Sequence, residues 1–275
     1  MPELPEVESA RAVIERHGLR RRIADVDDSD AFVCRPHARG EIRHALLGGE
    51  FVAALRRGKS MWCQTGPATD EVTLGIHLGM SGKIVIADAD GTETDGGDYW
   101  ERGRQPGDYR YSRFAVTFED GGRLILVDPR RLGRVRLNPP VDELGPDAQL
   151  ITPAQFRAAL AAGRTAPVKA RLMDQHRIAG IGNLLADEIL WRARVHPARA
   201  VGSLTAAEES RLLRASRETI RAALRLGGVH NLTIIPYRHA GAACPRDHAP
   251  MRTAPVDGRT SWWCEAEQVP EPASG

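Results

Sequence analysis

Lysine is scarce in this chain: of 38 basic residues only three, Lys59, Lys83 and Lys169, are lysines. A GC-rich genome produces that bias by itself, so it carries no functional argument, but it makes each lysine worth a question. A surplus of positive charge is missing too. The formal net charge is +2, so a nucleic-acid partner does not follow from global charge and has to be sought in local basic clusters. No apolar run approaches the roughly 20 residues that span a bilayer, which argues against a membrane partner. Cysteine is rare as well, at four residues in 275, so a disulfide framework is not expected. Cys34 and Cys63 stand alone and read as small buried apolar residues. The opening MPELPEVE has neither the basic start nor the apolar stretch of an export signal, so a cytoplasmic protein is expected. A content of 42% hydrophobic and 27% charged residues excludes a mainly disordered chain, and the length suits two domains.

Periodicity divides the chain. Residues 6–17 carry Val7, Ala10, Val13 and Ile14 near helical spacing, with Gly18 as a stop. From Leu19 to about Leu137 the pattern is strand-like, with short runs at 51–55, 61–63, 72–77, 83–87, 114–118 and 123–127. Many short strands suggest a sandwich or barrel. Residues 88–108 are polar and glycine-rich and read as a mobile loop. Asn138-Pro139-Pro140 through Gly145-Pro146 reads as a linker. Helices are then expected at 152–162, 168–176, 183–193 and 205–226, with Thr205 and Glu208 as a capping box. Residues from about Ile234 to Gln268 resemble a small hairpin module, followed by a disordered proline-rich tail.

Two segments carry chemistry. If Met1 is removed, Pro2 exposes a secondary α-amine whose unperturbed pKa, about 8, lies well below that of lysine. Such an amine is partly neutral near pH 7 and can form an iminium ion with a sugar aldehyde. Glu3 and Glu6 stand within a turn of it for proton transfer. Read alone, the motif is no more than a start sequence. The second segment, Ala179-Gly180-Ile181-Gly182-Asn183, enters a helix. Its glycines would let backbone N–H groups approach a phosphate at a helix N-terminus, with Asn183 donating beside them. It reads equally as an ordinary interhelical turn with Asn183 as N-cap.

MPELPEVE and DQHRIAGIGNLLADEILWRARVHP together resemble the formamidopyrimidine-DNA glycosylase and endonuclease VIII family, and the resemblance runs from Pro2 to about Gln268. It implies an α+β chain. Residues 1–138 would form a catalytic N-terminal β-sandwich and 139–232 a helix–two-turn–helix domain. Residues 233–268 would be a zinc-finger-like β-hairpin, degenerate here, and 269–275 a disordered tail. It further implies a monomeric bacterial enzyme of the cytoplasm, associated with the nucleoid through DNA. Its partner would be double-stranded DNA containing damaged bases or abasic sites. The activity would be a bifunctional glycosylase and abasic-site lyase that removes formamidopyrimidine or 8-oxoguanine type bases by Pro2 Schiff-base chemistry and β,δ-elimination, with no catalytic cofactor.

By the same resemblance, Glu3 and Glu6 assist proton transfer and Lys59 contacts phosphate beside the lesion. Met80, in Leu78-Gly79-Met80-Ser81-Gly82, fills the space of the extruded nucleotide. Arg130 faces the orphaned base, with Leu132 standing where an aromatic residue is usual. Lys169, Gly182, Asn183 and Arg259 contribute to DNA binding, Arg259 as a bidentate phosphate clamp. The finger is incomplete. Two Cys-x-x-Cys pairs are expected, but Asp247 and Glu267 replace the second cysteine of each. Cys244, His248 or Asp247, Cys264 and Glu267 could make a four-ligand zinc site, or a metal-free hairpin could rest on Trp262, Trp263 and Val256. The short Gly227-Gly228-Val229-His230-Asn231-Leu232 stretch implies a reduced lid over an extruded guanine. With Leu132, it leaves open the same chemistry on oxidised pyrimidines or bulkier adducts, and the departures in the finger leave open a non-catalytic damaged-DNA-binding protein.

Overall fold

The computed structural model describes residues 2–66, 72–98 and 107–270. It divides into two compact units. One comprises Pro2 and residues 6–141, the other residues 3–5 and everything from Asp142 onward. The division between Val141 and Asp142 falls inside the proline-rich stretch that begins at Asn138.

The first unit is two antiparallel sheets. Five strands, β1 (Ile23–Asp27), β5 (Lys83–Ala87), β6 (Glu93–Gly97), β7 (Ser112–Phe118) and β8 (Arg123–Val127), lie in the order β1-β7-β8-β5-β6. Four more, β2 (Phe51–Arg57), β3 (Ser60–Thr65), β4 (Thr73–His77) and β9 (Arg134–Leu137), lie in the order β2-β3-β4-β9. Side chains alternate across a strand. The inward set, including Phe51, Leu74 and Ile76 from one sheet and Ile84, Ile86, Phe114 and Leu126 from the other, forms a single core. This is the expected sandwich. Strand β8 is nevertheless almost continuously apolar, because Val85, Ala115, Ile125 and Val127 form a second buried cluster on the outer face, packed by Tyr109.

Helix α1 (Leu4–His17) places Val7, Ala10, Val13 and Ile14 in the first core. It also explains a departure from expectation. Residues 93–97, read as part of a loop, form edge strand β6, paired to β5 along its length. The strand is polar because it is an edge, and its glycines have a steric cause. A Cβ at Gly96 would come within 2.6 Å of the Ser9 carbonyl oxygen, where α1 crosses the strand. Within the expected loop, residues 99–106 lie outside the described residues. A short helix, α2 (Glu41–Leu46), interrupts the strand-like region and buries Ile42 and Leu46, four residues apart.

The second unit is helical, with a hairpin. Helix α3 (Pro153–Ala161) starts at Thr152 and α6 (Ala206–Arg225) at Thr205, each through a complete capping box. Between them come α4 (Val168–Met173) and α5 (Asn183–Ala193), joined by two consecutive turns. Helix α4 ends earlier than expected. Asp174 leaves the helical conformation as its C-cap, and its carboxylate takes the His176 N–H at 3.1 Å. Phe156, Leu160, Leu172, Leu185, Ile189 and Leu212 are part of the core. Strands β10 (Met251–Val256) and β11 (Arg259–Cys264) form the hairpin, which rests on Trp191 and Ile234. No helix among the described residues is long and apolar enough to cross a membrane, and the expected tail from residue 271 onward lies outside them.

Candidate functional site

The second unit binds a carboxylate of its own. The buried side chain of Glu3 accepts the N–H of Gly182 at 2.9 Å, of Leu184 at 2.8 Å and of Leu185 at 3.1 Å. These are the unpaired donors of the first turn of α5, where the helix dipole also favours an anion. The Leu4 N–H donates to the Gly180 carbonyl at 3.2 Å, so main chain and side chain are fixed together. Gly182 is required by space: a Cβ there would come within 2.3 Å of the Glu3 carboxyl carbon.

This corrects two expectations. The Gly182 N–H is taken by Glu3, a phosphate mimic supplied by the chain itself, and is not left for DNA. Asn183 is the first residue of α5, not its cap; Gly182 occupies the N-cap position without a side-chain bond. The Asn183 side-chain oxygen is buried without a hydrogen-bond partner. Pro2, one peptide bond before Glu3, is buried, as is Glu6 in α1.

Lys169 departs most from expectation. It is fully buried and lies 2.7 Å from Asp187 of α5, and it donates to the Thr260 carbonyl at 3.0 Å and to Ser261 Oγ at 2.8 Å. Asp187 also holds Arg238 at 2.9 Å. Burial pushes the Lys169 ammonium pKa down and that of Asp187 up, each opposed by the partner's charge. Lys169 therefore ties α4 to α5 and the hairpin and presents no charge to solvent. Two signals were available, a lone lysine in an arginine-rich chain and an acid inside the motif after Asn183. Neither indicates burial. Arg259, in contrast, is exposed just beyond the Asp257–Gly258 turn, where both residues have positive φ. It borders a cavity of about 490 Å³ together with Pro167, Arg171, Met173 and Asp174.

In the first unit the expected wedge residues come together. Met80 and Leu132 are 38% and 40% exposed on their loops. Their loops touch: a Cβ at Gly79 would sit 2.4 Å from the Leu132 carbonyl. Asp128, fully buried, organises both. It accepts Ser81 Oγ at 2.6 Å from the Met80 loop, and the N–H groups of Arg130 at 3.2 Å and Gly133 at 2.7 Å from its own. The sequence motif contained Asp128, but only the fold reveals its role.

Arg130 itself points to solvent. His77 accepts the Gly79 N–H at Nδ1, 3.0 Å away. Its pKa is lowered, first by the protein packed around the ring and then by the charges of Lys59 and Arg136, although the residue still reaches solvent. Lys59 is half-buried in the β2–β3 turn behind Gly58, whose φ is +61°. A cavity of about 330 Å³ beside these loops is lined by His77, Leu132, Arg134 and Arg136.

The expected metal ligands separate into two groups. Cys244, Asp247 and Cys264 bring their donor atoms within 4.8 Å of one another, a grouping that could hold a metal ion. His248 and Glu267 are not in it. His248 is exposed with φ +62°, its N–H bonded to the Cys244 carbonyl at 2.9 Å. Glu267 is paired with Arg246 and, at 3.2 Å, with Arg194. Arg246 in turn stacks over the Trp191 ring at 3.9 Å and donates to the Trp191 carbonyl at 3.2 Å. Burial holds the Cys264 thiol up at about 12, and it donates to Asp247 at 3.1 Å. A structural zinc site closes with four donors. Three are present here, and the fourth position is engaged by arginine, so the set does not fit a closed zinc cage.

Two substitutions test this geometry. Gly182→Ala is expected to force the Glu3 carboxylate off the α5 N-terminus and cost about 1–3 kcal/mol, read by urea denaturation. Asp128→Ala strands Ser81 Oγ and the Gly133 N–H. It should cost about 2–3 kcal/mol in the same assay, whereas Arg130→Ala, a solvent-facing change, should be neutral to stability.

The formamidopyrimidine-DNA glycosylase N-terminal domain model matches residues 1–135, and the formamidopyrimidine-DNA glycosylase H2TH domain model matches residues 144–233. The chain is 34% identical to the formamidopyrimidine-DNA glycosylase of Parafrankia sp., with 98% of each chain covered. It is 33% identical to that of Streptomyces avermitilis, with 96% of each covered. Among solved structures, Lactococcus lactis Fpg complexed with abasic-site DNA is similar with a TM-score of 0.80 and 25% identity, over 97% of this chain and 99% of that one. Both units, matched in their order along the chain, place this protein in the formamidopyrimidine-DNA glycosylase family.

Proposed function

We propose that this chain excises oxidised bases from double-stranded DNA and then cleaves the backbone, with the Pro2 amine as nucleophile. The observation that carries the reading is the anchoring of Glu3 by three N–H groups of α5. It fixes the residue after Pro2, and with it the place at which a freed amine would stand. Met1 must first be removed. The damaged nucleotide leaves the stack at a cost of about a few kcal/mol. The neutral Pro2 nitrogen then attacks C1′, the C1′–N bond breaks, and the base departs with its electron pair and takes up a proton. Glu3 serves that proton transfer, with Glu6 close in sequence to support it.

The attacking nitrogen loses its proton and the C1′–O4′ bond of the sugar ring breaks, O4′ taking up a proton, and the iminium ion so formed acidifies the C2′ protons. Loss of one breaks the C3′–O bond, and a second elimination breaks the C5′–O bond, leaving a one-nucleotide gap. Imine chemistry needs only a protein amine. Lys59 and Arg259 would hold phosphates, with Asn183 beside the α5 N-terminus. Met80 and Leu132 would occupy the vacated stack, and Arg130 would face the unpaired base. Lys169 would act indirectly, by holding the hairpin that carries Arg259.

The lesion class remains broader than 8-oxoguanine. Helix α6 is followed by short turns at Val229–Asn231 and Ile235–Tyr237, which offer little cover over a purine and keep oxidised pyrimidines or bulkier adducts as the alternative substrate class. A structural zinc has no complete cage among the described residues, and we assign the hairpin's base to the Arg246–Glu267 pair.

Borohydride treatment with an abasic-site oligonucleotide is expected to give a covalent adduct that disappears in Pro2→Gly and when Met1 is retained. No adduct with processed Pro2 would make the chain a DNA-binding protein without lyase chemistry. Elemental analysis should find well under one zinc per chain, and a chelator should leave Tm unchanged. One tightly held zinc per chain would show instead that Glu267 leaves its arginines to complete a cage.

A further inference from the structure

Beside the Arg130–Leu132 loop, the first unit exposes a phenylalanine in a collar of guanidinium groups. Phe32 is 46% exposed. Arg35 lies over its ring at 3.8 Å from the centroid, and Arg131 and Arg134 each lie at 5.9 Å. Arg35 and, at 3.1 Å, Arg134 also donate to the Phe32 carbonyl. The collar is built. Asp30 accepts the Phe32 N–H at 3.1 Å, and its two oxygens take Arg131 Nε and Nη2 at 3.0 and 2.9 Å.

Arg131 has a left-handed backbone, φ +54°, an unfavoured state for a side chain of that size. Its bidentate partner stabilises that conformation. Arg113 reaches Asp30 at 3.9 Å. Burial raises the Asp30 carboxyl pKa, but Arg131 and the N–H groups of Val33 and Phe32 outweigh it and hold the group below the usual range. Asp30 thus pairs with Arg131 and Arg113, while Arg35 and Arg134 are engaged by the Phe32 carbonyl and ring, so guanidinium groups border the exposed aromatic face.

An exposed ring among arginines matches a polyanion that carries flat apolar rings. A single-stranded or unstacked nucleic-acid segment has that chemistry, with phosphates for the guanidiniums and a base for the aromatic face. Leu132, on the adjoining loop, supplies apolar contact but no ring. We propose that Phe32 is a DNA-stacking residue, and that Arg35, Arg131 and Arg134 present it and bind the flanking phosphates on the strand addressed by the Arg130–Leu132 loop. The inference rests on the reading that this chain acts on DNA.

The test measures the affinity of the full chain for an abasic-site duplex, with Tm and steady-state kinetics alongside. Phe32→Ala should weaken binding about tenfold, within the range for losing one aromatic–base stack. KM should rise more than kcat falls, and Tm should move by no more than about 2 °C. Phe32→Trp should restore affinity to within about twofold. Arg35→Ala should flatten the dependence of log Kd on log salt by about one phosphate contact. Native affinity in Phe32→Ala overturns the proposal. So does a lowered Tm with equally weak binding in both variants, since the ring would then serve only to pack its loop. Failure of the native chain to bind any duplex would overturn the reading as DNA-acting itself, a result distinct from either.

Discussion

The N-terminus of α5 holds the carboxylate of Glu3, and much of the second unit's order follows from that contact. Three N–H groups that a helix leaves unpaired meet two carboxylate oxygens, and the dipole adds to the attraction. The approach is so close that residue 182 has no room for a β-carbon. Helix propensity alone would never select glycine there; Gly182 is the residue that lets the beginning of the chain reach the middle of it. An electrostatic requirement at one end of the sequence therefore dictates a steric requirement nearly 180 residues later.

Buried acids recur as organisers. Asp128 gathers the Met80 and Leu132 loops, and Asp187 joins Lys169 to Arg238 and the hairpin. Each is fully buried and each is surrounded by donors, the condition under which a buried carboxylate is tolerated. Residues near these acids, among them Met80, Arg130 and Arg259, are exposed. Stability and surface chemistry are thus divided between neighbouring residues. An inward acid fixes the loop, and an outward apolar or cationic side chain meets the solvent.

The hairpin shows the same economy with different chemistry. Where two metal-binding pairs would each need a second cysteine, Asp247 accepts from the Cys264 thiol and Glu267 pairs with two arginines. Arg246 also stacks on Trp191. A guanidinium can cross-link through both its edge and its face, which a lone carboxylate cannot do. The base of the hairpin is held by an ion pair and a stack, and its tip still carries Arg259 beyond a turn of positive φ.

The sandwich and the helices were legible because apolar spacing and capping residues are local signals. Strands β5 and β8 begin and end where the sequence pattern places them, α5 does too, and Thr205 with Glu208 marks the start of α6. Strand β6 was not legible, since an edge strand crowded by a helix needs glycine and polar residues and so resembles a loop. The motifs around Pro2 and Asn183 were visible as words, but sequence could not say that the Gly182 N–H would serve Glu3. Nor could it say that Lys169 would be buried or that Glu267 would be taken by arginine. Local order depends on neighbours in the chain, and sequence determined it. Which donor meets which acceptor depends on residues tens to hundreds of positions apart, and only the tertiary structure decided that.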